Sequence, residues 1–168
     1  MTVLAIYSCK APSNKQEQKT KNTKPATQTI AINDNTLNAI YPHYLALAAA
    51  LVDENQQAIV INALAIEVGS AANKKLHKIK EYAFSISENT NLETQRKHFA
   101  ALSTELIKQL KDVGLASGII YVEYCPMAHN DKGAYWLSNN RKIVNPYYGA
   151  AMLDCGSVTD SLKPKKVF

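Results

Sequence analysis

Apolar positions along this chain keep a helical rhythm through its middle and lose it towards the C-terminus. Leu37, Ile40, Tyr41, Tyr44, Leu45, Ala48 and Leu51 recur three or four residues apart, which predicts one stripe of an amphipathic helix. Pro42 is tolerable only in a first turn, so the firm part of this helix is expected to begin near it. Asp53 with Gln56 three residues on reads as the cap of a second helix, running through Ile61, Leu64, Ala65 and Val68 and stopping at Gly69. Leu76, Ile79, Ala83 and Ile86 mark a third. After Asn91, the positions Phe99, Leu102, Leu106, Leu110 and Val113 mark a fourth, with Gly114 placed to end it. Short links between successive amphipathic helices favour antiparallel neighbours, hence a mainly α fold, an up-and-down bundle of about four helices.

From Ile119 to Tyr124 the residues are β-branched or aromatic apart from Glu123, and Cys125-Pro126 should end that strand. The remainder, to Leu162, reads as loops and short strands forming a small β/loop cap. At the other end, residues 10–32 are rich in Lys, Gln, Asn and Thr and carry almost no large apolar side chains, the composition of a flexible polar tether. The expected organisation is an apolar leader over 1–9, the tether over 10–32, one domain over 33–162 whose segment 119–158 holds the sulfur atoms, and a basic tail over 163–168.

Charge changes the picture by its location. The chain of 168 residues has a formal charge of +5, but Lys10, Lys15, Lys19, Lys21, Lys24, Lys163, Lys165 and Lys166 lie in the two tails. Residues 25–162 hold 11 basic and 13 acidic side chains, a net of −2, so the folded part offers no positive field to phosphates and nucleic-acid binding is disfavoured. The run Val3-Leu4-Ala5-Ile6-Tyr7-Ser8-Cys9 ahead of the polar stretch resembles the end of a bacterial lipoprotein signal, with Cys9 as the lipidated residue. Only eight residues precede Cys9, fewer than a charged region plus an apolar core require. The plain alternative is a short disordered N-terminus with an incidental cysteine. The lipoprotein reading implies a chain anchored to a membrane of the periplasm or cell envelope without crossing it.

The candidate chemistry lies in YCPMAHNDKGAYWLSNNRKIVNPYYGAAMLDCG, residues 124–156. Cys125 and Met127 form a Cys-x-Met pair, and Met152 and Cys155 a Met-x-x-Cys pair. Two thiols and two thioethers suit Cu(I) or a similar thiophilic ion. An extended Cys-x-Met puts both side chains on one side of a strand, and Met-x-x-Cys does so on a helical turn. His129 is a weaker candidate ligand. Also open are a Cys125–Cys155 disulfide, contributing roughly 3 to 4 kcal/mol for a loop of this length, and, behind both, buried unpaired thiols. Oxidation of the pair would release a bound ion. Met127 and Met152 taken singly read as core fillers, and Trp136, Tyr135, Tyr147 and Tyr148 as the residues that fasten this segment to the bundle. Asn145-Pro146 reads as turn chemistry.

The strings YCPMA, GAYWLS, I-x-NPYYG and ML-x-CG, preceded by Tyr44-Leu45, Ala50-Leu51-Val52 and Arg96-x-His98-Phe99-x-x-Leu102-Ser103, resemble the family known as domain of unknown function 3347 over about residues 35–162. The resemblance implies an exported, extracytoplasmic helical domain of a kind also found appended to periplasmic adaptor proteins of heavy-metal efflux systems. Cys125, Met127, Met152 and Cys155 match its pattern; His129 does not. No Gly-x-Ser-x-Gly, His-Glu-x-x-His, phosphate loop or Cys-x-x-Cys occurs, and a cysteine nucleophile aided by His98 or His129 is the one enzymatic reading left. The expectation is therefore a non-catalytic module for a soft metal, with copper(I) as the ion and efflux components as partners. Its alternative is a structural or protein-interaction domain closed by the disulfide.

Overall fold

The computed structural model describes residues 29–164. Cys9 with the rest of the expected leader, the tether up to residue 28 and tail residues 165–168 lie outside the described residues. Ala31–Ile32, expected in the tether, form a short strand, β1, which pairs antiparallel with β2 (Leu115–Ser117) beyond the last long helix. Ile32 is buried there.

The first helix, α1, spans Asn35–Val52. Its start lies seven residues before Pro42 because Asp34, in extended backbone, accepts a 2.8 Å hydrogen bond from the Leu37 amide. The helix runs straight through Pro42, which lacks the amide for its own turn. Burial of Leu37, Ile40, Tyr41 and Tyr44, each no more than 3% exposed, offsets that loss. Asp53 closes α1 instead of opening the next helix: its amide donates to the Ala49 carbonyl at 3.0 Å. The cap of α2 (Gln56–Ser70) is Asn55, whose side chain accepts from the Ala58 amide. Gly69 does not stop α2. It lies inside the helix, where a Cβ would come within 2.6 Å of Ile40 Cγ2 on α1, so glycine serves close helix packing at this position.

A 3-10 turn at Lys74–Leu76 leads into α3 (His77–Ser87), and Asn91 caps α4 (Leu92–Val113), which ends at Gly114 with φ +74°. Each helix packs on the next in sequence, giving the mainly α four-helix arrangement that the apolar spacing predicts. Beyond α4, β3 (Ile120–Cys125) is the centre of a three-stranded antiparallel sheet ordered β4-β3-β5, with β4 at Ala134–Ser138 and β5 at Ser157–Leu162. Cys125 pairs with Ala134 and Glu123 with Trp136. Tyr44 ties the layers together. Its hydroxyl meets Ser103 Oγ of α4 at 2.7 Å and accepts from the Leu137 amide of β4 at 3.0 Å, and its ring stacks on Phe99. No helix among the described residues is long and apolar enough to cross a membrane.

Candidate thiol centre

Cys125 is the last residue of β3 and is fully buried, whereas Cys155 is half-buried in the turn that leads into β5. Their Sγ atoms lie 3.0 Å apart. Thirty residues of chain are thus closed into a loop whose two ends meet at sulfur. The half carrying Cys155 is held by buried Asn145. Its Nδ2 donates to the Cys155 carbonyl at 2.9 Å, its backbone amide donates to the Leu153 carbonyl at 2.8 Å, and its Oδ1 accepts from the Tyr147 amide at 2.8 Å. Asn145 therefore does more than make a turn. Gly156 is required beside Cys155, since at φ +136° a Cβ would come within 2.8 Å of the Trp136 ring and 2.9 Å of the Tyr124 carbonyl.

The methionines depart from the sequence reading in two ways. Strand β3 stops at Cys125 and Met127 sits in the following turn with helical φ and ψ, so the strand alternation that would align it with Cys125 does not operate. Neither methionine fills the core: Met127 is 42% and Met152 38% exposed. The Met-x-x-Cys geometry does form as a helical turn, because the Cys155 amide donates to the Met152 carbonyl at 3.1 Å after a 3-10 helix at Gly149–Met152. The Tyr148 hydroxyl donates to the Met127 carbonyl and so links the two sulfur-bearing stretches.

His129 does not join the cysteines. Among the described residues no group of three or more His, Cys, Asp and Glu side chains converges to hold a metal ion. The imidazole instead stands edge-on to Tyr147, in a small cleft of about 250 Å³ shared with Glu93, Arg96, Asn130 and Tyr148. Its Nε2 is buried without a hydrogen-bond partner, and burial, aided by Lys97 and Lys132, lowers its pKa. His129, Asn130 and Asp131 all adopt the left-handed conformation, with φ of 54°, 58° and 63°, a run that non-glycine residues rarely make. His98, half-buried on α4, is likewise held towards its neutral form, by burial and then by Lys97.

The hydrogen bond with Cys125 and then burial raise the Cys155 pKa, the opposite of the depression that marks an activated nucleophile. Arg96 braces the segment against the bundle, donating through Nε to the Pro146 carbonyl at 2.9 Å and through Nη2 to the Leu51 carbonyl and Glu54. Trp136 and Tyr147 are both buried, Trp136 edge-on to Tyr147 and Tyr147 in turn against Phe99 of α4, whereas Tyr135 is 42% exposed.

Residues 40–118 match the model of a family described as Protein of unknown function (DUF3347). Over these residues the chain is similar to the DUF3347 family. The matched stretch runs from within α1 to the end of β2, and Cys125, Met127, Met152 and Cys155 lie beyond it. No curated protein and no solved structure matches the chain.

One group outside the sulfur set escapes sequence reasoning. Glu123 is 0% exposed on the central strand, and neither carboxylate oxygen has a hydrogen-bond partner. Burial raises its pKa to about 7, opposed in part by the neighbouring Trp136 indole, although no hydrogen bond to either oxygen forms. The signal was a lone acid in the apolar run Ile119–Tyr124. Its meaning depends on β3 being central, with both faces covered.

Proposed function

We propose that this domain is a non-catalytic module of the cell envelope that captures a soft metal ion, Cu(I) foremost, on Cys125 and Cys155. The observation that carries the reading is the 3.0 Å approach of the two sulfurs at the end of β3. A pair of cysteines so held can serve Cu(I), which accepts low coordination numbers and prefers thiolate and thioether donors. The solvent-accessible thioethers of Met127 and Met152, two and three residues from the cysteines, are available to complete or guard the site. Their exposure argues against a core-filling role. The half-buried turn of Cys155 provides the give that an ion between the sulfurs needs. Anchoring through Cys9 would keep the module beside heavy-metal efflux components, the partners that the family resemblance implies.

A Cu(I) titration of the reduced full chain carrying Cys9→Ser, against a chromogenic chelator, tests the proposal. One-to-one binding that disappears in Cys125→Ser and Cys155→Ser is expected; retention of binding in both variants, or none within the chelator's range, refutes it. The same short distance favours one other reading, a structural or protein-interaction domain closed by a Cys125–Cys155 disulfide. It requires that the chain isolated without reductant contain no titratable thiol at these positions and bind no copper after reduction.

A further inference from the structure

A second cleft, of about 510 Å³, is lined by Trp136 and lies between α1 and the segment that follows β4. One wall is aliphatic: Leu45, Ala48, Ala49 and Val52 lie three to four residues apart along α1, and Val144 faces them from the loop. The rim is of a different character. Arg141 and Lys142 are exposed there, and no acidic residue lines the cleft. The Arg141 guanidinium lies 5.5 Å from the Tyr121 ring centre, a cation–π contact that restricts its swing. Asn139 is oriented as well: its Oδ1 accepts from the Tyr41 hydroxyl at 2.8 Å, which turns its remaining amide group, a donor, away from that bond. Cations and a donor thus border an aliphatic trough of the size usual for small-molecule sites.

We propose that this cleft binds a small amphipathic carboxylate, its alkyl chain lying on the α1 wall and its head group between Arg141 and Lys142. The proposal does not rest on the thiol centre, because none of the four sulfur-bearing residues lines the cleft. An acidic partner without an alkyl body would leave the aliphatic wall uncovered, and a neutral or cationic amphiphile would leave the rim without a counter-charge. Charge therefore fixes the head group and the wall fixes the body.

Trp136 is the single tryptophan of the chain and lines the cleft, so its emission reports occupancy. The experiment titrates the full chain with sodium decanoate below its micellar range, following Trp136 emission and the heat of binding. Decanol and decyltrimethylammonium serve as controls, and the variants are Arg141→Glu/Lys142→Glu and Ala49→Phe. Saturable one-to-one binding of decanoate is expected, at least roughly tenfold weaker for both controls and for the charge-reversed variant, as loss of a charge-assisted contact implies, and abolished by Ala49→Phe. Both variants change exposed positions, and their far-UV circular dichroism identifies any that fails to fold. If the folded Arg141→Glu/Lys142→Glu protein binds decanoate as the unaltered chain does, or if decanol binds equally well, the head-group site is wrong. Absence of any saturable response from the unaltered chain overturns the proposal altogether.

Discussion

Replacing Glu123 by Gln removes one ionisation and changes almost nothing else, since the two side chains are nearly isosteric. In the fold the carboxyl titrates at about 7 instead of the ordinary 4.5, because ionisation would place a charge in a site with no exposed surface and no hydrogen bond. Between these two values the folded chain holds a proton that the unfolded chain has lost, so stability falls as pH rises. The protonated carboxyl contributes its full share below about pH 4.5, and that share is gone once pH passes about 7. At about 1.4 kcal/mol for each pH unit between the two values, the ionised form costs the fold about 3 kcal/mol at pH 8. Tyr41 and Tyr44, the other titratable groups facing Glu123, stay neutral across this range because burial raises both. Glu123→Gln should therefore match the unaltered protein near pH 4.5 and exceed it by about 3 kcal/mol at pH 8. Urea unfolding followed by far-UV circular dichroism, in the presence of reductant, measures both. Comparing the two proteins at each pH cancels the titrations they share, including those of His98 and His129. A stability difference that stays constant from pH 4.5 to 8 would refute the reasoning, and would mean that the Glu123 carboxyl finds a partner or water when ionised.

Three further outcomes are expected. Asn145→Ala removes the buried hydrogen bonds to the Cys155 carbonyl and the Tyr147 amide and should cost about 2 to 4 kcal/mol; it should also slow formation of a Cys125–Cys155 disulfide by diamide, read as loss of titratable thiol. Gly69→Ala, which improves helix propensity, should nevertheless destabilise by about 1 to 3 kcal/mol in thermal unfolding, because its Cβ would meet Ile40 at 2.6 Å; a smaller cost of Gly69→Ala when measured in an Ile40→Ala background identifies the clash as the cause. Met127→Leu and Met152→Leu keep side-chain volume at exposed positions, so stability should change by less than about 1 kcal/mol while Cu(I) affinity falls, and unchanged affinity in both would remove the thioethers from the site.

Much of the bundle was legible because amphipathic helices write their buried face at a fixed period. The third and fourth helices, with Asn91 and Gly114 at the ends of the latter, lie where the spacing of Ile79, Ala83, Phe99 and Leu106 put them. Boundaries that depend on competition between signals were misjudged. Pro42 argued for a late start to α1, yet a capping Asp34 and four buried side chains outweigh one missing amide. Asp53 and Gly69 have the composition of a helix start and stop, but one closes the preceding helix and the other allows α1 and α2 to approach.

The chain by itself determined which residues could do soft-metal or redox chemistry, since Cys and Met are the only sulfur donors and the C-terminal segment holds two of the three cysteines and two of the three methionines in two short pairs. Whether those pairs meet is a property of the sheet: it takes β3 in the middle, β5 returning beside it and Asn145 fixing the approach to bring Cys125 and Cys155 together. The same tertiary step separates His129 from them and exposes both methionines. It also buries Glu123, which in sequence is only one of 14 acids. Local periodicity encodes which face of an element is apolar, whereas proximity across thirty residues and the solvation of a single carboxyl depend on what packs against them, and only the assembled fold sets that.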